Sequence, residues 1–357
     1  MPAFSLTNYN YNLPKTLIAQ KPADKRDHSR LLHLNRKTKN CEHLYFFDIY
    51  NLLLPNDIVI INNTRVIPGR IFGHKQKTGG KIELLVIDYA SCQLQEKKDN
   101  TIICKCMIKA SRPSAPGSIF IFDHGIKAVV QSLNDQFCTV KFLFKGSFEQ
   151  LINSIGNIPL PPYIKQKSSD NQSINNKESY QTVYASAKGA IAAPTAGLHF
   201  SNKLIEKIKS KGVKIVEITL HVGSGTFMPV RATDIRNHNM HSEMYTISKE
   251  SAKTINNAKK NGCRIIAVGT TCVRTLEYAS NANGFVIPGS GNCDIYIYPG
   301  YDFKVINAMI TNFHLPQSTL LMLVSAFSGL DEILNIYKKA IKKKYRFYSY
   351  GDAMFID

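Results

Sequence analysis

The chain has 357 residues, 44% of them hydrophobic and 10% aromatic, enough to bury a sizeable core in one large domain or two. It holds no run of about eighteen apolar residues, and its first thirty residues carry Asp24, Lys25, Arg26 and Asp27 without an apolar signal core. Neither a membrane span nor a secretory signal is therefore expected, and the expected location is the cytoplasm. The formal net charge of +19 predicts a positive field that concentrates polyanions, most simply nucleic acid. The alternative is lysine spread over a solvated surface by a coding bias toward Lys, Asn and Ile.

Leu52 to Ile61 reads as a helix end, a turn and a buried strand that finishes in the polar cluster Asn62-Asn-Thr-Arg65. From Ile71 to Lys145 short strand-like runs follow one another: Ile82 to Asp88, Thr101 to Ile108, Ser118 to Phe122, Ala128 to Ser132 and Phe137 to Phe144. Turn formers Gly79-Gly80, Pro116-Gly117 and Asn134-Asp135 separate them. Five or six such strands without a helix predict a small closed barrel or sandwich. The expected fold class is α/β, with a discontinuous main domain over 1–68 and 148–357 that carries the active site and an inserted small β-barrel domain over 69–147.

Lys165 to Lys177 is polar and aperiodic, which predicts a mobile loop. Ser201 is placed to cap a helix over Asn202 to Lys211 with Leu204, Ile205 and Ile208 on one face. Gly212 stops it, and Val213 to Val222 reads as a buried strand. The unit repeats as a helix from Glu250 to Lys260, a strand from Arg264 to Val268, and a Gly/Thr-rich loop, Gly269-Thr-Thr-Cys-Val-Arg274. This arrangement places ligands beyond the carboxyl ends of strands. A last helix is expected from Asp331 to Tyr345, with Ile333, Leu334, Tyr337, Ala340 and Ile341 inward. Lys338, Lys339, Lys342, Lys343, Lys344 and Arg346 near its end suit either the helix dipole or an RNA surface.

The eight cysteines lack paired CxxC spacing and read as reduced, buried, small apolar residues, with Cys104 and Cys106 on one strand face. Ile191 to Phe200 and Leu220 to Phe227 concentrate His199, His221 and the flexible Gly223 and Gly225 into two short segments. Imidazoles tune readily for proton transfer, and glycines let backbone approach a ligand. Gly223-Ser-Gly225 lacks the third glycine of a dinucleotide turn and the lysine of a phosphate loop, which argues against NAD or ATP and leaves a plain chain-reversing turn open. His238, His241 and Glu243 read as a metal face, a hydrogen-bonded structural cluster or a proton-transfer group. Thr270, Thr271 and Arg274 suit a carboxylate or phosphate, or else a helix cap with Arg274 paired to Glu277 on the surface. Thr311 to Pro316, with Asn312 and His314, reads as a helix N-terminus bearing polar donors. Tyr345 to Tyr350 suits an unstacked base or an aromatic core strand.

In this order the segments resemble the S-adenosylmethionine:tRNA ribosyltransferase-isomerases of queuosine biosynthesis, over nearly the whole chain. The resemblance runs from Tyr11-Asn-Leu-Pro14, Leu17-Ile-Ala-Gln20 and Ser29-Arg-Leu-Leu32 through Asn62-Asn-Thr-Arg-Val-Ile-Pro68 and Gly79-Gly-Lys-Ile-Glu83. It continues with Tyr180-Gln-Thr-Val-Tyr184, Ala193 to Phe200, the His221 glycine turn, His238 to Glu243 and Val268-Gly-Thr-Thr271. It closes with Ile310 to Pro316, Tyr345-Arg-Phe347 and Ser349 to Met354.

The resemblance implies transfer of the ribosyl group of S-adenosylmethionine to 7-aminomethyl-7-deazaguanine at a tRNA wobble position, giving epoxyqueuosine with release of adenine and methionine. S-adenosylmethionine is then a co-substrate; no prosthetic group or metal is expected, and a monomer is. His199, His221, His241 and Glu243 are the expected catalytic groups around the ribose, with His314 and Asp352 as alternates. Gly223, Gly225, Thr226, Thr270, Thr271 and Arg274 are candidates for holding S-adenosylmethionine. Arg65, Tyr184, Arg346 and Tyr348 are candidates for the modified base and its phosphates.

Three positions depart from the family pattern: Asn307 replaces an Asp, Cys293 a Thr and Ser179 an Arg. The Ser179 and Asn307 changes remove a phosphate contact and a carboxylate, which bears on substrate affinity more than on reaction class. Two rival readings stand beside the resemblance: an S-adenosylmethionine-dependent RNA methyltransferase, and a noncatalytic tRNA-binding protein.

Overall fold

Runs of branched apolar residues build the centre of the fold. The computed structural model describes residues 4–89, 92, 101–134, 137–164, 178–223, 225 and 230–357; the expected loop at Lys165 to Lys177 and the candidate Thr226 lie outside them. The first strands in chain order are β1 (Arg30–Leu34), β2 (Cys41–Tyr45), β3 (Ile58–Asn62) and β4 (Thr64–Val66). Next come β5 (Arg70–Lys75), β6 (Lys81–Val86), β7 (Thr101–Ala110), β8 (Ile119–Ile121), β9 (Lys127–Asn134) and β10 (Phe137–Leu143). Then follow β11 (Gly156–Asn157), β12 (Ala187–Ala190), β13 (Lys214–Leu220), β14 (Glu243–Ile247), β15 (Ile265–Val268), β16 (Gly289–Cys293), β17 (Ala308–Asn312) and β18 (Ala353–Ile356).

Nine strands form the main sheet in the order β16-β14-β13-β3-β15-β17-β18-β1-β2. β13, β3, β15 and β17 run parallel. β18 inserts antiparallel to β17 and parallel to β1, so the two ends of the chain close one sheet. Side chains alternate between two cores: Ile58 and Ile60 face one, Val59 and Ile61 the other. Burial on both faces is why these strands read as continuous apolar runs.

Among the described residues the α-helices are α1 (Ile49–Leu52), α2 (Phe148–Ile155), α3 (Asn202–Ser210), α4 (Lys249–Lys260), α5 (Gly269–Tyr278), α6 (Thr319–Ser328) and α7 (Leu330–Lys342). α4 to α7 cover one face of the sheet, and α1 and α3 the other. Serine caps start four of them: Ser147, Ser201, Ser248 and Ser318 each accept a hydrogen bond from a backbone N–H in the first turn. α7 ends before the expected Tyr345, because Lys344 takes φ +55° and turns Tyr345 into the core. No single helix among the described residues is long and apolar enough to cross a membrane.

β5, β6, β7, β10, β9 and β8 pair antiparallel in that order, and β8 returns to β5, so the β-rich stretch is a closed six-stranded barrel rather than a sandwich. Cys104 and Cys106 do share its interior face, and α2 packs Phe148, Leu151, Ile152 and Ile155 against that core. All eight cysteines are free. Buried Asn62 completes the main sheet beside the barrel junction: its amide donates to Leu220 O at 2.9 Å and accepts from Leu220 N at 3.0 Å.

One connection differs from expectation. Residues 269–274 are the first turn and a half of α5 rather than a loop, because Gly269 at φ +85° turns β15 directly into the helix. A Cβ there would meet nothing closer than 3.5 Å, so the cost of a side chain is in the backbone alone. Gly269→Ala is expected to lower unfolding free energy by about 1–2 kcal/mol in urea titration, and an unchanged midpoint would contradict this.

Candidate functional site

A cavity opens where the carboxyl ends of β13, β15 and β17 meet. Val222 after β13, Gly269, Thr270 and Thr271 after β15, and Thr311, Asn312 and His314 at the end of β17 line it, together with residues 192–196 and Tyr348. This is the position expected for a ligand in a parallel α/β sheet. His241, Glu243 and Arg274 complete the wall on the side of the edge strand. A second cavity adjoins it, shares Ser349 with it, and includes Arg26, Ser29, Ser179, His199 and Tyr350. A third opening, between barrel residues such as Lys105 and Phe137 and the sheet edge, holds His221 and also reaches His241.

Glu243 and Arg274 form a buried ion pair, 6% and 5% exposed. The Glu243 carboxylate also accepts from Gly223 N at 2.8 Å. Arg274 donates further to Ile295 O at 3.1 Å and Cys293 O at 3.3 Å. Arg274 therefore belongs to neither expected alternative: it does not pair with Glu277 on the surface, and its three nitrogens are all engaged by protein. Glu277 instead accepts backbone N–H bonds from Lys304, Val305 and Ile306.

His199 is buried, stacked on Phe46, with Nδ1 2.7 Å from Ser29 Oγ and Nε2 3.3 Å from Asn312 Nδ2. The Asn312 amide also donates to Tyr348 O at 3.1 Å, which fixes its orientation. His199 Nε2 is thus the acceptor, and Nδ1–H donates to Ser29. Burial, reinforced by the Arg346 and Arg26 charges, pushes the His199 imidazole down to about 3, and burial does the same to His314, whose Nε2 lies 2.8 Å from Thr311 Oγ1. Both rings are neutral hydrogen-bonding groups at pH 7.

The remaining candidates separate. His221 lies 2.8 Å from Thr64 Oγ1 and against Gly189, where any Cβ would meet the ring at 2.7 Å; burial lowers its pKa, and it faces the barrel side. His241 is exposed, and its ring packs on Gly225 closely enough to require glycine there. Thr270 and Thr271 line the main cavity, and Thr271 Oγ1 and Asn312 Oδ1 are buried without a hydrogen-bond partner among the described residues. Tyr348 lines it too, at a strained φ of +76°.

Asp352 and Arg346 are brought together but away from the main cavity. The Asp352 carboxylate accepts from Arg30 N, Arg346 N and the Arg346 guanidinium, so it clamps these segments together. Arg65 is exposed on β4 and donates to Ala185 O, and Tyr184 packs on Phe200 beside Gly197; neither lines the main or the second cavity. Among the described residues, no group of three His, Cys, Asp or Glu is close enough to hold a metal ion, so His238, His241 and Glu243 do not converge as a metal face.

Of the departures, Ser179 lines the second cavity, Cys293 supplies the carbonyl that receives Arg274, and Asn307 accepts from Ile265 N at 2.8 Å to close the β15–β17 seam. Sequence reasoning missed Tyr163, Tyr180, Met240 and Ser349 in the main cavity, and Arg26 and Ser29 in the second. They lie in segments far apart in sequence; Ser29, Tyr180, Met240 and Ser349 fall within stretches that carry the resemblance, whereas Tyr163 and Arg26 have no local pattern to mark them.

The chain matches the family described as queuosine biosynthesis protein over residues 6–356. It is 47% identical over 353 residues to the S-adenosylmethionine:tRNA ribosyltransferase-isomerase of Natranaerobius thermophilus, covering 98% of this chain and 99% of that one. It is likewise 47% identical over 351 residues to the protein of the same name from Clostridioides difficile, covering 98% of each. Among solved structures it is similar to S-adenosylmethionine tRNA ribosyltransferase from Thermotoga maritima, with a TM-score of 0.54 and 34% identity over 98% of this chain and 100% of that one.

The buried imidazoles have a consequence for acid stability. Between pH 6.5 and about 3 the unfolded chain binds protons that native His199 and His314 refuse. Stability is therefore undiminished by these groups above pH 6.5, and falls as pH drops toward 3 by on the order of 1 kcal/mol per histidine per pH unit. His199→Gln is expected to lose less stability than the parent between pH 7 and pH 5 in urea titrations; equal losses would contradict this.

Proposed function

The chain belongs to the queuosine biosynthesis family, and on that premise we propose that it transfers and isomerises the ribosyl group of S-adenosylmethionine onto 7-aminomethyl-7-deazaguanine at a tRNA wobble position. The products are epoxyqueuosine in the tRNA, adenine and methionine. The observation that carries this reading beyond family membership is the main cavity. Hydroxyls at a helix N-terminus, the neutral His314 imidazole and the solvent-reaching His241 converge there on one volume at the carboxyl end of the sheet.

The reaction needs a base for a ribose C5′ proton beside the sulfonium, and then an acid for the departing adenine. Glu243 is occupied by Arg274 and Gly223, and His199 and His314 hold a proton too weakly to carry it between steps. His241 lines the cavity with an exposed ring, which suits it to take the C5′ proton and return it to adenine. Adenine leaves as the ribose ring opens. The nucleobase amine attacks the resulting electrophile and loses a proton, and ring closure with epoxide formation expels methionine at the C5′–S bond. Thr270 and Thr271, at the positive end of α5, suit the methionine carboxylate. Gly223, held by Glu243, and Gly225, packed on His241, shape the wall rather than contact chemistry directly.

The family assignment and the excess positive charge support a tRNA-directed enzyme, for which we propose a cytoplasmic location and a monomeric state. Incubation with S-adenosylmethionine and tRNA bearing the aminomethyl base is expected to release adenine in step with a ribosyl mass gain on the RNA. S-adenosylhomocysteine would point to methyl transfer instead, and a folded protein that binds the tRNA without turnover to a noncatalytic relative. His241→Ala is expected to lower kcat for adenine release by roughly 10²–10⁴-fold while S-adenosylmethionine binding in equilibrium dialysis changes little. An unimpaired kcat would remove His241 from the proton path.

A further inference from the structure

The geometry points to the second cavity as the binding site for the acceptor nucleobase, separate from and adjoining the cavity that takes S-adenosylmethionine. This rests on the reading above, because a transfer between two substrates requires their reacting atoms to meet at a shared boundary. The two cavities meet at Ser349, which lines both, and at the wall made by His199, Asn312 and Tyr348. Asn312 is 2% exposed, its amide nitrogen is used to hold that wall, and its Oδ1 has no partner among the described residues. An unclaimed buried acceptor at the boundary suits an N–H of a reacting amine, since leaving it unpaired costs free energy.

The chemistry of the second cavity fits a guanine-like base on a phosphate backbone. Leu198 and Tyr350 offer an apolar and an aromatic surface for a base plane. Asp24 and Glu178 contribute carboxylates, which accept hydrogen bonds from the ring N–H and exocyclic amine that such a base carries. Lys21 is exposed at the rim beside Arg26, whose guanidinium donates to Leu198 O at 3.2 Å and Glu178 O at 2.7 Å. The exposed Lys21 ammonium suits a phosphate, a contact that positions a strand without reading its sequence, while the carboxylates and the aromatic face read the base.

The test measures affinity for two anticodon stem-loop RNAs by fluorescence anisotropy, one with 7-aminomethyl-7-deazaguanine at the wobble position and one with guanine. S-adenosylmethionine binding is followed separately by equilibrium dialysis. Ser179→Phe, which places a ring in the second cavity, is expected to erase the parent's preference for the aminomethyl base, on the order of tenfold, with S-adenosylmethionine binding retained. Lys21→Glu, which reverses a charge at the exposed rim of the cavity, is expected to weaken both RNAs several-fold and equally. The assignment is overturned if the parent shows no preference between the RNAs, if Ser179→Phe keeps that preference, or if it loses S-adenosylmethionine instead. Since these readouts need no turnover, failure of the parent to release adenine bears on the reaction assigned above and not on the cavity.

Discussion

The Glu243–Arg274 ion pair is the constraint on which the site depends. Two opposite charges lie almost out of water, each also hydrogen-bonded to backbone, and together they tie β14, β16, α5 and the Gly223 turn into one wall. Removing either partner leaves a buried charge uncompensated, which typically costs about 3–5 kcal/mol. The pair is therefore better placed to hold geometry than to exchange protons. It fixes α5, whose first turn presents Thr270 and Thr271 to the cavity.

A second network acts in the same way on the opposite wall. Ser29, His199, Asn312 and Tyr348 form a hydrogen-bonded chain across four segments separated in sequence. Arg346 and Asp352 hold the segment that carries Tyr348, and Tyr345 and Phe347 bury themselves on either side of Arg346. The strained backbone at Tyr348 is set by this anchoring, and Tyr348 lines the main cavity with its ring against Tyr163.

Much of the architecture was legible because periodicity and capping are local. Ser201 and Gly212 bracket α3, the apolar run around Ile60 marks a doubly buried strand, and the closely spaced β-rich runs between 81 and 143 become barrel strands. Gly269 misled, because a glycine followed by threonines reads as a loop, whereas a positive φ at one residue is enough to start a helix. In the site, the residue types were legible and their assignments were not. Asp352 and Arg346 attract attention as charged residues near aromatics, yet they satisfy each other. Arg274 finds Glu243, 31 residues away, rather than Glu277, and no local pattern reports that. Asn312 gains its importance from His199 and Tyr348, which only the fold brings to it.

The most direct measurement is a double-mutant cycle on Glu243→Gln and Arg274→Met, read by urea titration and by equilibrium dialysis with S-adenosylmethionine. If the pair organises the cavity, each single change weakens both stability and binding. The double variant is then less impaired than the sum, with a coupling of about 1–3 kcal/mol. Additive effects, or single variants that bind S-adenosylmethionine as tightly as the parent, would contradict the account.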